Sequence, residues 1–169
     1  MTQAVAVDWH REVAKCIDAA QRPIHFVGVG NTLRGDDAVG VKIASQLRRA
    51  LRGAGALRVK VHPPDASPER LLSYIPATEG LVIFDAIEAG GQPGQVLCAS
   101  LGSTQFGFFA THNIPLRIVP GVAERKDTAY VIGVEPESLE LEEALTPKVR
   151  ASANEIVAEI VRRVRATHG

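Results

Sequence analysis

The sequence predicts a single three-layer α/β domain with a mostly parallel, twisted sheet flanked by helices on both faces. Three observations predict it. Short β-prone runs alternate with amphipathic helical runs along the chain. One run, Leu81-Val82-Ile83-Phe84, is continuously apolar, as a central strand buried on both faces is. The first strand ends in Gly28-Val29-Gly30-Asn31-Thr32-Leu33-Arg34-Gly35-Asp36-Asp37-Ala38-Val39-Gly40, a glycine-rich handover from strand to helix. With 169 residues, 46% hydrophobic and 22% charged, the chain fits one domain with a substantial core, and extensive disorder is not expected.

Taken in order, Trp9, Val13, Cys16, Ile17 and Ala20 share one helical face, so residues 1–21 read as a helical extension packed on a domain formed by 22–169. Ile24-His25-Phe26-Val27 follows Pro23 and is the first strand. Val39, Ile43, Leu47 and Leu51 recur every four residues and predict a helix from about Asp36 to Leu51, stopped by Gly53 and Gly55, with Lys42 and Arg49 facing water. Leu57 to Val61 alternates apolar and basic residues, as a half-exposed strand does, and Pro63-Pro64 ends it. Ser67-Pro68 opens a short helix through Leu71, Leu72 and Ile75. The apolar strand of Leu81 to Phe84 then stops at Asp85, which puts an acid at a strand's C-terminal end. Gln95 to Ala99 is a further strand, Leu101 to Phe109 has no clear period, and Ala129 to Val134 is the last strand. After Thr146-Pro147 a closing helix presents Val149, Ala153, Ile156, Val157, Ile160 and Val164 on one face.

Composition excludes several classes of function. Lys+Arg and Asp+Glu both number 19, so no net charge draws the protein to nucleic acid or to an anionic membrane, and the clusters Arg48-Arg49 and Arg162-Arg163-Arg165 read as solvated helix faces. The two cysteines, Cys16 and Cys98, lack zinc-type spacing and are expected as free thiols, one disulfide between them remaining the alternative. No apolar stretch is long enough to span a bilayer, and Asp8, His10, Arg11, Glu12 and Lys15 stand where a secretory signal would need an apolar core, so a cytoplasmic protein is expected.

In sheets of this kind ligands collect beyond the C-terminal ends of the strands, where Asp36, Asp37, Asp85 and His112 can open onto one cleft. A phosphate loop at the first turn needs small residues and free N–H groups, whereas adjacent aspartates repel phosphate and suit a cation. Asp37, Asp85 and His112 could supply the mixed oxygen and nitrogen ligands of a divalent transition metal. Bland roles stay open for each: Asp36 as a helix cap, Asp37 as a partner of the helix dipole, Asp85 as a cap of the next element, His112 as a hydrogen-bonded structural histidine. His10, His25, His62 and His168 show no metal spacing and read as structural or exposed. No G-x-S-x-G, H-E-x-x-H or Walker A pattern is present. Gly28-x-Gly30 also admits a non-catalytic nucleotide-binding module, although the third glycine of the dinucleotide pattern is missing.

The chain resembles the hydrogenase maturation endopeptidases, which trim the C-terminal extension from the large subunit of nickel-iron hydrogenases, and the type serving hydrogenase 3 in particular. The resemblance is carried by the run Gly28 to Gly40, by Asp85-Ala86 with Pro93-Gly94, by Thr111-His112-Asn113-Ile114-Pro115-Leu116, and by Gly133-Val134-Glu135-Pro136 with Leu145-Thr146-Pro147, in family order from Ile24 to the final helix. It implies a cytoplasmic, monomeric peptidase acting on the large-subunit precursor after nickel insertion. The nickel, carried by the substrate, is then the recognition element. The family's metal-binding acids fall on Asp37 and Asp85 and its histidine on His112, a set that other divalent metals such as cadmium or zinc would also suit. Asp36 would orient the loop or, like Asp37, act as general base; a Lewis-acid role for the metal is the alternative. Gly35 and Gly40 would let the substrate backbone approach closely.

Relatives often carry D-x-G-[ST]-x-P-E after the second strand. Here the stretch is His62-Pro63-Pro64-Asp65-Ala66-Ser67-Pro68-Glu69, which puts Pro63 at the acid position and Asp65 two residues on. The helix before Gln21 extends the family's short start, and Pro120-Gly121 interrupts a region that relatives keep helical. A degenerate maturation chaperone that binds the precursor without cutting it is therefore a further alternative.

Overall fold

Among the described residues five strands form one sheet in the order β2-β1-β3-β5-β4. The computed structural model describes residues 8–19, 23–53, 58–64, 67–100, 125, 128–142 and 144–166. In chain order the elements are α1 (Trp9–Ala19), β1 (Ile24–Gly28), a 3-10 turn (Gly35–Ala38), α2 (Val39–Ala50), β2 (Val59–Val61), α3 (Pro68–Tyr74), β3 (Gly80–Ala86), β4 (Val96–Ser100), β5 (Ala129–Val134) and α4 (Pro147–Ala166). Strands β2, β1, β3 and β5 run parallel, and β4 pairs antiparallel with β5.

The alternation of side chains along each strand sorts the core into two layers. Phe26, Val82, Phe84 and Ile132 pack under α1, α2 and α4 through Val13, Val39, Ile43, Leu47, Val149, Ile156 and Ile160. Val27, Leu81, Ile83 and Val131 face the other way, onto Leu72 of α3 and Ile75 just after it. Between β1 and β2 the chain passes over the first face through α2. It returns through α3 on the second face to β3, on the far side of β1. The strand order therefore reverses between β1 and β3, which makes their C-terminal ends the switch point where such sheets bind ligands.

Two glycines bring α2 down onto that edge. A Cβ on Gly40 would stand 2.1 Å from the Phe84 carbonyl oxygen and 2.4 Å from that of Val29, and one on Gly28 would meet the Gly40 oxygen at 2.3 Å. The Val29 N–H donates to Phe84 O at 2.9 Å, so the chain leaves β1 still bound to β3.

The elements differ from the sequence reading in three places. The helix expected from Asp36 starts at Val39, after the 3-10 turn. Strand β3 runs through Asp85 to Ala86, because Asp85 and Ala86 still pair with Gly133 and Val134 of β5. Strand β2 is confined to Val59–Val61 among the described residues. On α4 the expected face is buried apart from Val157, which is half-buried. Among the described residues no helix is long and apolar enough to cross a membrane. Cys98 is buried and free.

A row of polar side chains crosses the second face. His25 of β1, only 4% exposed, lies 2.7 Å through Nδ1 from His62 Nε2 and 2.6 Å through Nε2 from Glu79 Oε2. Burial holds both imidazoles below the ordinary value of 6.5; Glu79 pulls His25 back up, while Lys60 pushes both down and Arg125 pushes down His25. The folded state thus favours the neutral rings, and below 6.5 the unfolded chain takes up protons first.

Two outcomes follow from this architecture. Gly40→Ala is expected to lower unfolding free energy by roughly 2–4 kcal/mol in urea titrations through overpacking against two carbonyls. Gly53→Ala, where nothing lies within 4 Å and only the φ of +79° resists, should cost about 1 kcal/mol. Thermal unfolding scanned from about pH 8 to pH 5 is expected to show stability falling as the pH drops below 6.5, with a shallower fall for His62→Gln.

Candidate functional site

The loop leaving β1 is folded around its own acids. Gly30 and Gly35 take φ values of 138° and 51°, and a Cβ on Gly30 would lie 1.8 Å from the Asp37 carbonyl oxygen, so the chain doubles back on itself there. The Asn31 N–H donates to Asp37 Oδ2 at 2.9 Å, and Asn31 Oδ1 accepts from the Leu33 N–H at 2.9 Å. The Asp37 N–H donates to Arg34 O at 3.0 Å. Asp37 is half-buried at the rim of this loop. Its carboxylate braces the loop rather than simply facing a helix dipole.

Asp85 is the penultimate residue of β3 and 4% exposed, with Oδ1 accepting from the Ala86 N–H at 2.9 Å. Strand alternation puts it on the α3 face with Leu81 and Ile83. The 3-10 turn that carries Asp36 and Asp37 contacts β3. Asp37 and Asp85 therefore share the C-terminal edge of the sheet at its switch point. His112 lies outside the described residues, as do Asp65 and Pro120-Gly121. Among the described residues no three His, Cys, Asp or Glu side chains form a group able to hold a metal.

Asp36 does something its local sequence does not show. It is fully buried, and its Oδ2 accepts from the N–H groups of Glu137 at 2.9 Å and Ser138 at 3.0 Å and from the Thr146 hydroxyl at 2.9 Å. Oδ1 accepts from the Thr146 N–H at 2.7 Å. Neither the 3-10 turn nor α2 has a side-chain cap bond, so the capping role does not describe it. The Gly35 N–H donates to Glu142 O at 2.7 Å and the Asp36 N–H to Ser138 O at 3.0 Å, which stitches the same two segments through the backbone. Gly35 and Gly40, expected to admit a substrate backbone, instead admit this chain's own: the Cβ of the first would meet Ser138 O at 2.9 Å, that of the second Phe84 O.

Glu135 is a third buried acid beside Asp36 and Asp85, one that the sequence singles out only as part of a motif. It is 6% exposed, its Oε2 accepts from the Ala89 N–H at 2.8 Å, and its backbone bonds both Gly94 and Gln95. It ties the loop after β3 to the end of β5; the only signal in the sequence was an acid directly after an apolar strand. Burial, reinforced by Glu12, pushes the Cys98 thiol up to about 12, so this cysteine is no nucleophile at neutral pH. Among the described residues Asp37 and Asp85 bring carboxylates to this edge, groups able to bind a cation or to move a proton.

Fold and site together define a doubly wound α/β domain with an acid-lined switch point. The sequence profile of the hydrogenase maturation protease family HycI matches residues 41–163, more than half of the chain, so the chain belongs to this family and is a peptidase. The matched stretch includes Asp85 and position 112 and begins one residue beyond the run Gly28 to Gly40. The fold is similar to that of a NiFe hydrogenase maturation protease HycI from Thermococcus kodakarensis KOD1, with a TM-score of 0.67, 26% identity, and coverage of 91% of this chain and 99% of that one. The endopeptidase HycI from Escherichia coli shares the fold with a TM-score of 0.63 at 22% identity, covering 88% of this chain and 92% of that one. The hydrogenase maturating endopeptidase HybD from E. coli does so with a TM-score of 0.63 at 24% identity, covering 87% and 94%. Sequence comparison with curated proteins gives no significant match. Family membership sets aside the nucleotide-binding module.

The two neighbouring aspartates should separate cleanly by substitution. Asp36→Ala strands three backbone N–H groups and a hydroxyl, and is expected to cost roughly 3–5 kcal/mol in chemical denaturation. Asp37→Ala gives up one bond, from Asn31 N, at a half-buried position and should cost about 1 kcal/mol or less.

Proposed function

We propose that this peptidase removes the C-terminal extension of a nickel-iron hydrogenase large-subunit precursor once nickel has been inserted, and that the nickel carried by the substrate is the element it recognises. The observation that supports this most is the meeting of Asp37 and Asp85 at one sheet edge in a chain of the maturation protease family. Asp37, Asp85 and His112 are the groups we assign to the metal: two carboxylates and one imidazole suit nickel, and would also accept cadmium or zinc. A metal held by these residues would supply Lewis-acid chemistry, polarising a carbonyl of the precursor's C-terminal peptide. Asp37, at the rim, carries the exposed carboxylate chemistry. Asp36, with both oxygens occupied, holds the loop that presents it.

The test uses the purified protein with nickel-loaded and nickel-free precursor, reading the released C-terminal peptide by mass spectrometry. Release is expected from the loaded precursor alone, and Asp37→Asn, Asp85→Asn and His112→Ala are each expected to slow it about 10²-fold or more. Equal cleavage of both precursors would remove nickel from the recognition step. Binding without any release would leave the non-cutting chaperone as the better account.

A further inference from the structure

We propose that His62 is a proton acceptor at this same edge, held in its working tautomer by a relay through His25 to Glu79; the proposal rests on the peptidase reading and adds a group to it. The geometry is that of a hydrogen-bonded row that orients its last ring. The His25 and His62 rings have centroids 5.0 Å apart and an interplanar angle of 12°, with Nδ1 and Nε2 only 2.7 Å apart, so the rings lie nearly coplanar and end to end. A metal between two facing imidazole nitrogens would hold them about 4 Å apart, since each bond needs about 2.0–2.1 Å. The gap fits a shared proton instead.

The carboxylate at one end fixes the direction of every bond in the row. Ionised Glu79 only accepts, so His25 Nε2 carries the hydrogen it shares with Oε2 at 2.6 Å. His25 Nδ1 then holds a lone pair, and the proton in the next bond belongs to His62 Nε2. That leaves the lone pair of His62 on Nδ1. His25 is buried, whereas His62 is half-buried and reachable. Burial, His25 and Lys60 keep His62 neutral near pH 7; Lys60 and Arg125 act likewise on His25, with Glu79 opposing them.

Register puts His62 beside the site. Val61 pairs with Phe26, so His62 stands level with Val27, whose partner on β3 is Ile83. Asp85 is two residues further along β3, which separates the two backbones by about 12 Å from strand spacing and rise. His62, His25, Val27, Ile83 and Asp85 all lie on the α3 face. An extended peptide across the end of β1, itself about 5 Å wide, reaches between them.

In the reaction, the oxygen of water bonds to the scissile carbonyl carbon as its proton passes to His62 Nδ1, and the carbonyl π pair moves onto its oxygen until it returns as the C–N bond breaks. The Nε2 proton stays in the bond to His25, and Glu79 offsets the charge on the imidazole pair. When the C–N bond breaks, the proton moves from His62 to the departing amine nitrogen, and the row returns to its starting state. His25 and Glu79 are positioning residues throughout.

The experiment measures cleavage of nickel-loaded precursor against pH for the wild type, His62→Gln and Glu79→Gln, alongside the nitrogen-15 NMR of the histidine rings without substrate. His62→Gln keeps a donor for His25 and is expected to lose about 10²-fold in kcat with KM within about twofold, together with the acid limb of the profile. Glu79→Gln is expected to lose about tenfold and to move that limb to lower pH. In the wild type near pH 8, His62 should carry its proton on Nε2 and none on Nδ1. A His62→Gln enzyme with unchanged kcat and pH profile overturns the proposal, as does a proton found on Nδ1. A wild type that cuts no precursor overturns the peptidase reading instead, while the ring protonation is still read independently.

Discussion

Removing a carboxylate from water costs several kcal/mol unless donors surround it, and Asp36 has no exposure at all. Its two oxygens are satisfied by the N–H groups of Glu137, Ser138 and Thr146 and the Thr146 hydroxyl. Charge-assisted bonds of this kind are roughly twice as strong as neutral ones, which is what lets a buried charge become a net tether. The tether joins the first strand-to-helix turn to the segment before α4, about a hundred residues away. It fixes the backbone of Asp37 next to it, and it sets the point from which α4 starts toward its packing on α2. The rim of the site, the entry of α2 and the entry of α4 are consequences of one ionised side chain.

That tether works because the same turn is pressed against the sheet. Gly28 and Gly40 allow α2 to touch the carbonyls of Val29 and Phe84, closer than any side chain would permit. The first turn of the helix is thereby carried to the ends of β1 and β3. With the strand order reversing between these two strands, the acids of the turn and the acid of β3 have one place to meet. A dinucleotide loop uses the same closeness for a pyrophosphate; here aspartates stand where that loop has small residues, while the packing logic is kept.

Local pattern made much of this legible. The apolar run at β3, the β-prone run at β5 and the one-sided helix α4 follow from burial on two faces, or on one, and such periodicities survive in a single sequence. The partners of Asp36 did not, since a carboxylate near a helix start looks like a cap until the segments 137–138 and 146 are brought beside it. Strand β4 was legible as a strand but not in its antiparallel direction, which only its pairing with β5 defines. Asp85 looked like a stop signal because an acid breaks a hydrophobic run, yet the ladder to Gly133 continues past it. His25 and His62 are separated by a helix and a loop in sequence, and only the pairing of β1 with β2 makes them neighbours. The segment Thr111-His112-Asn113 rests on its place in the sequence and on the resemblance, being outside the described residues.

On the proposed reading, cation and proton chemistry at the sheet edge are kept from competing. Asp37 and Asp85 are oxygen donors, and a cation bound to them would repel a protonated imidazole about 12 Å or less away, an interaction strengthened wherever water is excluded. A histidine serving this site must therefore be neutral before the reaction and tolerate charge only while a proton is in transit. Burial supplies the first condition for His62 and His25, both held below their ordinary value. The row ending in Glu79 supplies the second, because its negative charge sits at the end remote from the substrate and stabilises the imidazole pair once it is protonated. A carboxylate in direct contact with His62 would raise its basicity further but would also hold it protonated near neutral pH. Interposing His25 weakens that pull to the degree that keeps the acceptor free.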